Sequence, residues 1–181
     1  MPEGPALVVG GTGMLRKVSR TLALDRPVAV VSRGGERLDS LVAKSPSVIP
    51  VAVDWKRTRD LERALWKVTK ETGAFALCVA WIHSDAAEAP TAVAPFVRGH
   101  FYHVLPCEAA GPKPPDPGRR ERFAKFPDLA YHEVVLGWVP EKGGSRWLTN
   151  EEISRGVLTA IAWAKASTVV GKVAPWSARP G

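Results

Sequence analysis

Cysteine is scarce in this sequence, which contains only Cys78 and Cys107. Two cysteines are too few for the disulfide scaffold of a small secreted domain. The first residues, Met-Pro-Glu-Gly-Pro, also lack the charged and apolar regions of a signal peptide. We therefore expect the protein to work in a reducing compartment, the cytoplasm.

Long apolar runs and metal-binding patterns are absent as well. No run of ~18 apolar residues occurs, so we expect no membrane span. No spacing of His, Cys and carboxylate residues indicates a metal site. The sequence is nevertheless 45% hydrophobic and 24% charged over 181 residues, which is typical of a globular protein. This length favours a single domain, residues 1–181, with a substantial core.

Acidic residues are outnumbered by basic ones, and the formal net charge is +7. Such an excess favours anionic partners, either a phosphate-bearing cofactor or a nucleic acid. One basic stretch carries aromatic residues, a mixture that nucleic-acid binding uses. A solvated loop or short helix is the more ordinary interpretation, so we do not expect a nucleic-acid partner. The stretch contains Arg119, Arg120, Arg122 and Lys125 together with Phe123 and Phe126.

An apolar run enters a glycine-rich turn near the start of the sequence. Residues 6–15 are Ala-Leu-Val-Val-Gly-Gly-Thr-Gly-Met-Leu, and an amphipathic segment follows. Glycines allow a tight turn and a close approach to phosphate groups, while the N-terminus of the next helix offers unpaired N–H groups. The pattern therefore predicts a nucleotide phosphate site. Its predicted cofactor-binding residues are Gly10, Gly11, Thr12, Gly13, Met14 and Leu15.

Apolar runs of strand length alternate with segments of helical periodicity along most of the chain. This alternation predicts an α/β fold, a Rossmann-like doubly wound parallel sheet of six to seven strands with helices on both faces. Pro50 predicts an edge or irregular position for the third strand. Thr149 with Glu152 predicts a capping box that opens the longest helix. The predicted strands are 6–9, 28–32, 48–53, 75–80, 100–105, 131–139 and 168–173, and the predicted helices are 14–24, 36–44, 58–72, 86–96, 119–125 and 151–165.

Three segments together resemble the short-chain dehydrogenase/reductase superfamily. They are residues 8–15, Val-Val-Gly-Gly-Thr-Gly-Met-Leu; residues 30–33, Val-Val-Ser-Arg; and residues 53–55, Val-Asp-Trp. The similarity in layout covers about residues 6–139, and residues 145–157 resemble the tail of a small atypical subgroup. The resemblance implies that the glycine-rich turn holds the pyrophosphate of a dinucleotide.

Ser32, Arg33 and Asp54 are the further cofactor-binding residues that the resemblance implies. NAD-binding members carry an acidic residue at the end of the second strand, whereas a hydroxyl and an arginine resemble sites for the 2′-phosphate of NADP. Asp54 matches a position near the adenine ring. The alternatives are a surface Arg33 that begins a turn and an Asp54 that merely precedes a helix. We expect NADP as the cofactor in preference to NAD.

The first helix departs from the family pattern. Arg16 stands where the family has a small residue, so helix and strand cannot approach each other in the same way. Arg16 and Lys17 also place positive charge in the first helical turn, which is unfavourable unless a bound phosphate offsets it. The two side chains either face a phosphate or extend into solvent.

The catalytic pair of the family is missing. Typical members use a Tyr as acid/base and a Lys four residues later that lowers its pKa. Here Tyr102 is followed four positions later by Pro106, and Tyr131 by Val135. Residues 80–84, Ala-Trp-Ile-His-Ser, stand in place of the family's Asn-Ala-Gly. The standard mechanism is therefore not expected.

Polar residues after the fourth and fifth strands are the remaining candidates, because open parallel sheets bind ligands at the carboxyl ends of their strands. We predict His83 as the acid/base, with Ser84 beside it. The alternative is a loop His83 that moves no proton. His100 and His103 are expected to be structural, and Cys107 is expected to be inert unless its pKa is depressed.

These features predict an NADP-dependent oxidoreductase that acts on a small carbonyl compound. The alternative is a non-catalytic dinucleotide-binding sensor or regulatory protein, because the Tyr and Lys are absent. The expected partners are the dinucleotide and an unidentified small molecule. The seven tryptophans fit a homo-oligomer interface or core packing.

Overall fold

The computed structural model of the protein describes residues 3–181, apart from the side chain of Ser84. In this part of the chain the strands are β1 Ala6–Val9, β2 Val28–Ser32, β3 Val48–Ala52, β4 Phe75–Trp81, β5 Val97–Leu105, β6 Leu129–Leu136, β7 Trp138–Glu141, β8 Gly144–Trp147 and β9 Ser167–Val170. Seven of them form one sheet in the order β3-β2-β1-β4-β5-β6-β9, and all neighbours are parallel. The doubly wound sheet that the sequence predicts is confirmed, with the Pro50 strand at one edge.

Six α-helices connect and cover the strands within the described residues: α1 Arg16–Leu22, α2 Glu36–Val42, α3 Thr58–Thr72, α4 Ala89–Val93, α5 Arg119–Phe123 and α6 Asn150–Trp163. One core lies between the sheet and α1, α2 and α6, and a second core lies between the sheet and α3, α4 and α5. Successive side chains of the central strands point alternately into the two cores. Strand β1 is therefore buried along its whole length.

Two predicted helices differ from the observed ones. The segment 86–96 forms only the five-residue α4 with a short 3-10 turn, Ala94–Phe96, because Pro90 and Pro95 interrupt a longer ladder of hydrogen bonds. The Thr149–Glu152 capping box is present and begins α6. However, α6 has 14 residues and α3 has 15, so the prediction that α6 is the longest helix was wrong.

The predicted sixth strand, 131–139, is divided at Gly137. A Cβ at this position would lie 1.9 Å from the Lys172 carbonyl oxygen, so only glycine allows the chain to pass there. The chain then enters the antiparallel β7–β8 hairpin, which the sequence analysis did not predict. Arg146 of β8 donates two hydrogen bonds to Glu152, at 2.8 and 2.9 Å, and so connects the hairpin to α6.

Candidate functional site

The glycine-rich turn, residues 10–15, joins the central strand β1 to α1 at the carboxyl edge of the sheet. Within the described part of the chain, the main-chain N–H groups of residues 11–15 make no hydrogen bond of ordinary geometry. Among these residues Gly13 is exposed and Thr12 and Met14 are partly exposed, so a ligand could approach the turn at this point. A run of free amides beside a helix N-terminus is an arrangement that binds anionic groups.

The carbonyl groups of the same turn are bonded inside the protein. The Ser19 hydroxyl donates to the Gly11 oxygen at 3.0 Å, and the Ser19 amide donates to the Leu15 oxygen at 2.9 Å. The Ser154 hydroxyl of α6 donates to the Met14 oxygen at 2.8 Å. The peptide groups thus turn their oxygens inward.

Two glycines of the turn have opposite surroundings. A Cβ at Gly11 would lie 2.5 Å from Ser19 Oγ and 2.8 Å from Val30 Cγ1, so this glycine permits the close approach of α1 to the sheet. A Cβ at Gly13 would meet no described atom within 4 Å. Gly13 is exposed, so the turn presents its open side there.

Arg16 and Lys17 make tertiary contacts that neither sequence alternative anticipates. The Arg16 guanidinium donates to the Arg37 carbonyl at 2.8 Å and to the Ser40 hydroxyl at 3.0 Å, which connects α1 to α2. Lys17 forms an ion pair with Glu151 of α6. Both cations are therefore directed toward neighbouring helices.

A groove of about 200 Å³, here called the β2–β3 groove, lies where β2 and β3 end. Ser32 is buried at its base, and its hydroxyl accepts a hydrogen bond from the Gly34 amide at 3.3 Å. The exposed Arg33 guanidinium makes no hydrogen bond or ion pair with the described residues. Asp54 accepts the Lys56 amide at 3.1 Å. The groove is lined by Arg33, Asp54, Trp55, Lys56, His83 and Asp85.

Two further features belong to the β2–β3 groove and its surroundings. Trp55 Nε1 is buried and has no hydrogen-bond partner among the described residues. Lys56 and Asp85 form an ion pair at 2.5 Å between the loop after β3 and the segment after β4. On its other side, Arg33 lines a recess of about 630 Å³ together with Arg57, Arg63 and Lys67, which makes this end of the sheet edge basic.

An apolar recess of about 260 Å³ lies at the opposite end of the glycine-rich turn, where β4, β5 and β6 end. Cys107 is buried in its wall, and Cys107 Sγ lies 3.5 Å from a Glu108 carboxylate oxygen. Burial raises the pKa of the Cys107 thiol, and the neighbouring carboxylate raises it further. The thiol is therefore protonated at neutral pH, in agreement with the expectation of an inert cysteine. The recess is lined by Met14, Trp81, Pro106, Cys107, Glu108, Leu136, Gly137, Trp147, Leu148 and Ile153.

The predicted catalytic pair lies beside this recess rather than in it. His83 is exposed after β4, with its ring edge-on to Trp81 at 6.0 Å between centroids. Trp81 lines the apolar recess, whereas His83 lines the β2–β3 groove. The backbone of Ser84 begins a 3-10 turn, Ser84–Ala86, and its side chain lies outside the described part of the structure.

The other three histidines form two hydrogen-bonded ring pairs, one on each face of the sheet: His100 with His132, and His103 with Tyr131. On the α6 face, His132 Nδ1 donates to the Lys165 carbonyl at 2.8 Å, and so its Nε2 accepts from His100 Nδ1 at 2.9 Å. On the α5 face, His103 Nδ1 lies 2.9 Å from the Tyr131 hydroxyl. Burial, and to a smaller extent the Arg119 charge, lower the pKa of His103 to about 4. These contacts support the structural roles that we expect for His100 and His103.

The basic stretch forms a short helix, which was one of the two expected forms, but it is only partly solvated. It contains α5, in which Arg119 is buried and donates to Glu133 at 2.7 Å. Arg120 contacts the other Glu133 oxygen at 2.6 Å, and Arg122 pairs with Asp116. Carboxylates of the protein therefore already engage these three guanidinium groups.

Metal-ligand clusters and membrane-spanning helices are both absent from the described residues. No group of three or more His, Cys, Asp or Glu side chains could hold a metal ion there. No helix in that part of the chain is long and apolar enough to cross a membrane.

Solved structures of short-chain dehydrogenases share this fold. One from Burkholderia cenocepacia, in complex with NADP, matches with a TM-score of 0.73 at 16% identity, over 98% of this chain and 92% of its own. Another from Bacillus anthracis matches with a TM-score of 0.71 at 12% identity, over 93% and 95%. A metagenomic short-chain oxidoreductase in complex with NADP matches with a TM-score of 0.67 at 14% identity, over 93% and 96%. No protein-family model and no curated protein sequence matches the chain.

Proposed function

We propose that this protein is an oxidoreductase of the short-chain dehydrogenase/reductase superfamily that binds NADP along the carboxyl edge of its sheet. The observation that carries the proposal is the row of five unpaired main-chain N–H groups at residues 11–15, open to solvent at Gly13. These donors suit the pyrophosphate of a dinucleotide. The glycine-rich turn of residues 10–15 would hold that group.

The preference for NADP rests on the β2–β3 groove. Arg33 offers a guanidinium group with no protein partner in the described residues, and it stands directly after β2, where a carboxylate would repel a 2′-phosphate. Ser32 supplies a hydroxyl at the end of β2. Asp54 and the ring of Trp55 would face the adenosine part of the ligand.

The nicotinamide end would occupy the apolar recess, which Met14 connects directly to the glycine-rich turn. When bound, the reduced cofactor supplies a hydride to the substrate. Trp81 and Leu136 would exclude water from the ring. We propose His83 as the group that gives a proton to the carbonyl oxygen, with Ser84 beside it, because His83 is an exposed imidazole in contact with a wall of the recess.

A non-catalytic dinucleotide-binding role is the second candidate. It is favoured by the absence of an ionised side chain other than Glu108 from the residues that line the recess. The raised pKa of the Cys107 thiol also favours the non-catalytic role, since a protonated thiol is a poor nucleophile. A sensor or regulatory protein needs cofactor affinity and no proton donor.

Calorimetry with NADP, NAD and their reduced forms tests the dinucleotide proposal. We expect NADP to bind more tightly than NAD, and Arg33→Ala to weaken NADP by about tenfold or more while NAD is unaffected. Arg98→Ala is the matched control, because Arg98 is exposed near the amino end of β5, away from both grooves. Failure of the wild-type protein to bind any dinucleotide would overturn the proposal.

Turnover separates the two candidate functions. Oxidation of NADPH is followed at saturating cofactor against a panel of small aldehydes and ketones. We expect His83→Ala to reduce kcat by about 10²-fold or more if His83 donates the proton, with NADP affinity retained. Full activity after replacement of both His83 and Ser84 contradicts the site assignment, and tight NADP binding without any turnover supports the non-catalytic role.

We also propose that the protein is a cytoplasmic homo-oligomer. Trp66, Trp147 and Trp163 are each about half-exposed, and exposed aromatic side chains are typical of protein contacts. Trp138, by contrast, is fully buried in the core. Analytical ultracentrifugation measures the oligomeric state, and a monomer at all concentrations would contradict this part of the proposal.

A further inference from the structure

A second cavity of about 520 Å³ lies on the α4 and α5 face of the sheet and is here called the α4–α5 cavity. It exists because α4 and α5 have five residues each and cannot cover β4 and β5 completely. Its volume falls within the range of small-molecule sites. Its apolar wall includes Ile82, Leu105 and Phe123, and its polar end includes His103 and Arg122.

His103 presents a hydrogen-bond donor to this cavity. The only partner of the Tyr131 hydroxyl among the described residues is His103 Nδ1, at 2.9 Å. Burial raises the pKa of Tyr131 and lowers that of His103, so the phenol keeps its proton and the imidazole is neutral at pH 7. The phenol is partly buried and this ring nitrogen is its one acceptor among the described residues, so we infer that its O–H donates to Nδ1. The proton of the neutral ring is therefore on Nε2, which has no partner in the described part of the chain.

The guanidinium groups beside His103 are also donors. Arg119 Nε donates to Glu133, and its two terminal nitrogens donate to the carbonyls of Asp116 and Ala109. Arg122 uses one nitrogen for the Asp116 carboxylate. Its remaining N–H groups have no partner among the described residues, and the side chain lines the cavity.

Acceptors at the polar end are already occupied. Asp116 is paired with Arg122, and Glu133 is held between Arg119 and Arg120. Glu88 is the other carboxylate on the cavity wall, and it is exposed, where solvent and salt screen its charge. The polar end of the cavity thus offers N–H donors that no protein acceptor uses, on His103 and on the partly exposed Arg122, opposite an apolar wall.

We propose that the α4–α5 cavity binds a small, mainly apolar carboxylate. The acid group accepts hydrogen bonds from His103 Nε2 and Arg122, and the hydrocarbon part packs against Ile82, Leu105 and Phe123. Charge-assisted bonds to a guanidinium group favour a carboxylate over a neutral acceptor. The cavity contains no residue of the glycine-rich turn, but it shares His83 with the β2–β3 groove and Pro106 with the apolar recess.

Calorimetry with benzoate and cyclohexanecarboxylate tests the proposal, with cyclohexylmethanol as the matched neutral probe. We expect both acids to bind at least about tenfold more tightly than the alcohol, and Arg122→Gln to remove that preference. Equal affinity for acid and alcohol, or no binding of either acid, would overturn the proposal.

Cavity filling locates the binding site. Ala87 lines the cavity and is exposed, so Ala87→Phe fills the entrance without disturbing the core, and acid affinity should fall by about tenfold or more. Ala74→Phe is the matched control, because Ala74 is equally exposed but lies before β4 at the other edge of the sheet. Unchanged acid binding in Ala87→Phe contradicts the location.

Two more variants distinguish the proposed carboxylate site from the proposed dinucleotide site. Tyr131→Phe leaves the ring in place and frees His103 Nδ1, so that the Nε2–H form is no longer favoured; acid affinity should fall by about three- to tenfold. Gly13→Asp introduces a negative charge at the glycine-rich turn and should abolish dinucleotide binding while benzoate still binds. Loss of benzoate binding in a folded Gly13→Asp protein would show that the two sites are one.

Discussion

Replacement of Gly11 by alanine tests whether this glycine is needed for packing rather than for a ligand. The added Cβ would lie 2.5 Å from Ser19 Oγ, 2.8 Å from Val30 Cγ1 and 3.0 Å from Val8 Cγ1, and all three neighbours are fully buried. Overpacking of a buried site costs about 1–3 kcal/mol. Displacement of the Ser19 hydroxyl, which donates to the Gly11 carbonyl, adds about 1 kcal/mol. We therefore expect the free energy of unfolding to fall by about 2–4 kcal/mol.

Thermal unfolding followed by circular dichroism measures the effect. A loss of 1 kcal/mol lowers Tm by about 2–4 °C in a domain of this size, so Gly11→Ala should unfold several degrees below the wild type. Gly13→Ala is the control, because a Cβ there meets no described atom within 4 Å. Its stability should change by no more than about 0.5 kcal/mol, although the new methyl group should weaken NADP binding.

A double variant identifies which atom causes the loss of stability in Gly11→Ala. Gly11→Ala combined with Ser19→Ala removes the nearest contact, and we expect it to be about 1 kcal/mol more stable than additive single effects predict. A Gly11→Ala protein with wild-type stability would refute the packing argument. Additivity in the double variant would refute the specific role of the Ser19 hydroxyl.

Three further predictions concern residues outside the glycine-rich turn. Burial lowers the pKa of His103 from 6.5 to about 4, so the unfolded chain binds more protons than the folded one between pH 4 and pH 6.5. The free energy of unfolding should therefore fall by up to roughly 3 kcal/mol as the pH decreases from 6.5 to 4. Urea titrations over this range should show a flatter dependence for His103→Gln, and an unchanged dependence would contradict the assignment. Glu133→Gln leaves Arg119 and Arg120 without their carboxylate and should cost about 3 kcal/mol in urea unfolding, whereas a neutral effect would show that the ion pairs contribute nothing. Thr149→Ala removes the N-cap of α6 and should cost about 1 kcal/mol, measured by thermal unfolding, and no change would mean that the capping box is dispensable.

The main elements of the fold could be predicted from the sequence because their signals are local. The apolar run of residues 6–9, the glycines Gly10 after β1 and Gly73 after α3, and the Thr149–Glu152 box all act within one turn or strand. The β7–β8 hairpin lacked such a signal, since its strands have four residues each and Gly137 owes its role to a distant contact with Lys172. Local patterns do not encode contacts of that kind.

The candidate site likewise has a part that the sequence predicts and a part that it does not. The glycine-rich turn and Arg33 follow directly from adjacent residues, and the structure places them along one edge of the sheet. The apolar recess could not be predicted, because Trp81, Leu136 and Trp147 come from different elements and share no motif. The contact of Arg16 with Ser40 depends on how α2 packs beside α1, which the helix sequences alone do not determine.

The inward carbonyl groups of the glycine-rich turn also bear on how fast a ligand can bind. Hydrogen bonds from Ser19 and Ser154 fix the peptide planes before any phosphate arrives, so the loop has little conformational entropy to lose. Association then requires no loop closure, and its rate constant should be set by diffusion and by the charge of the approaching anion. As the phosphate site that we propose, this turn would be a rigid receptor, and its selectivity would lie mainly in the dissociation rate constant of the ligand.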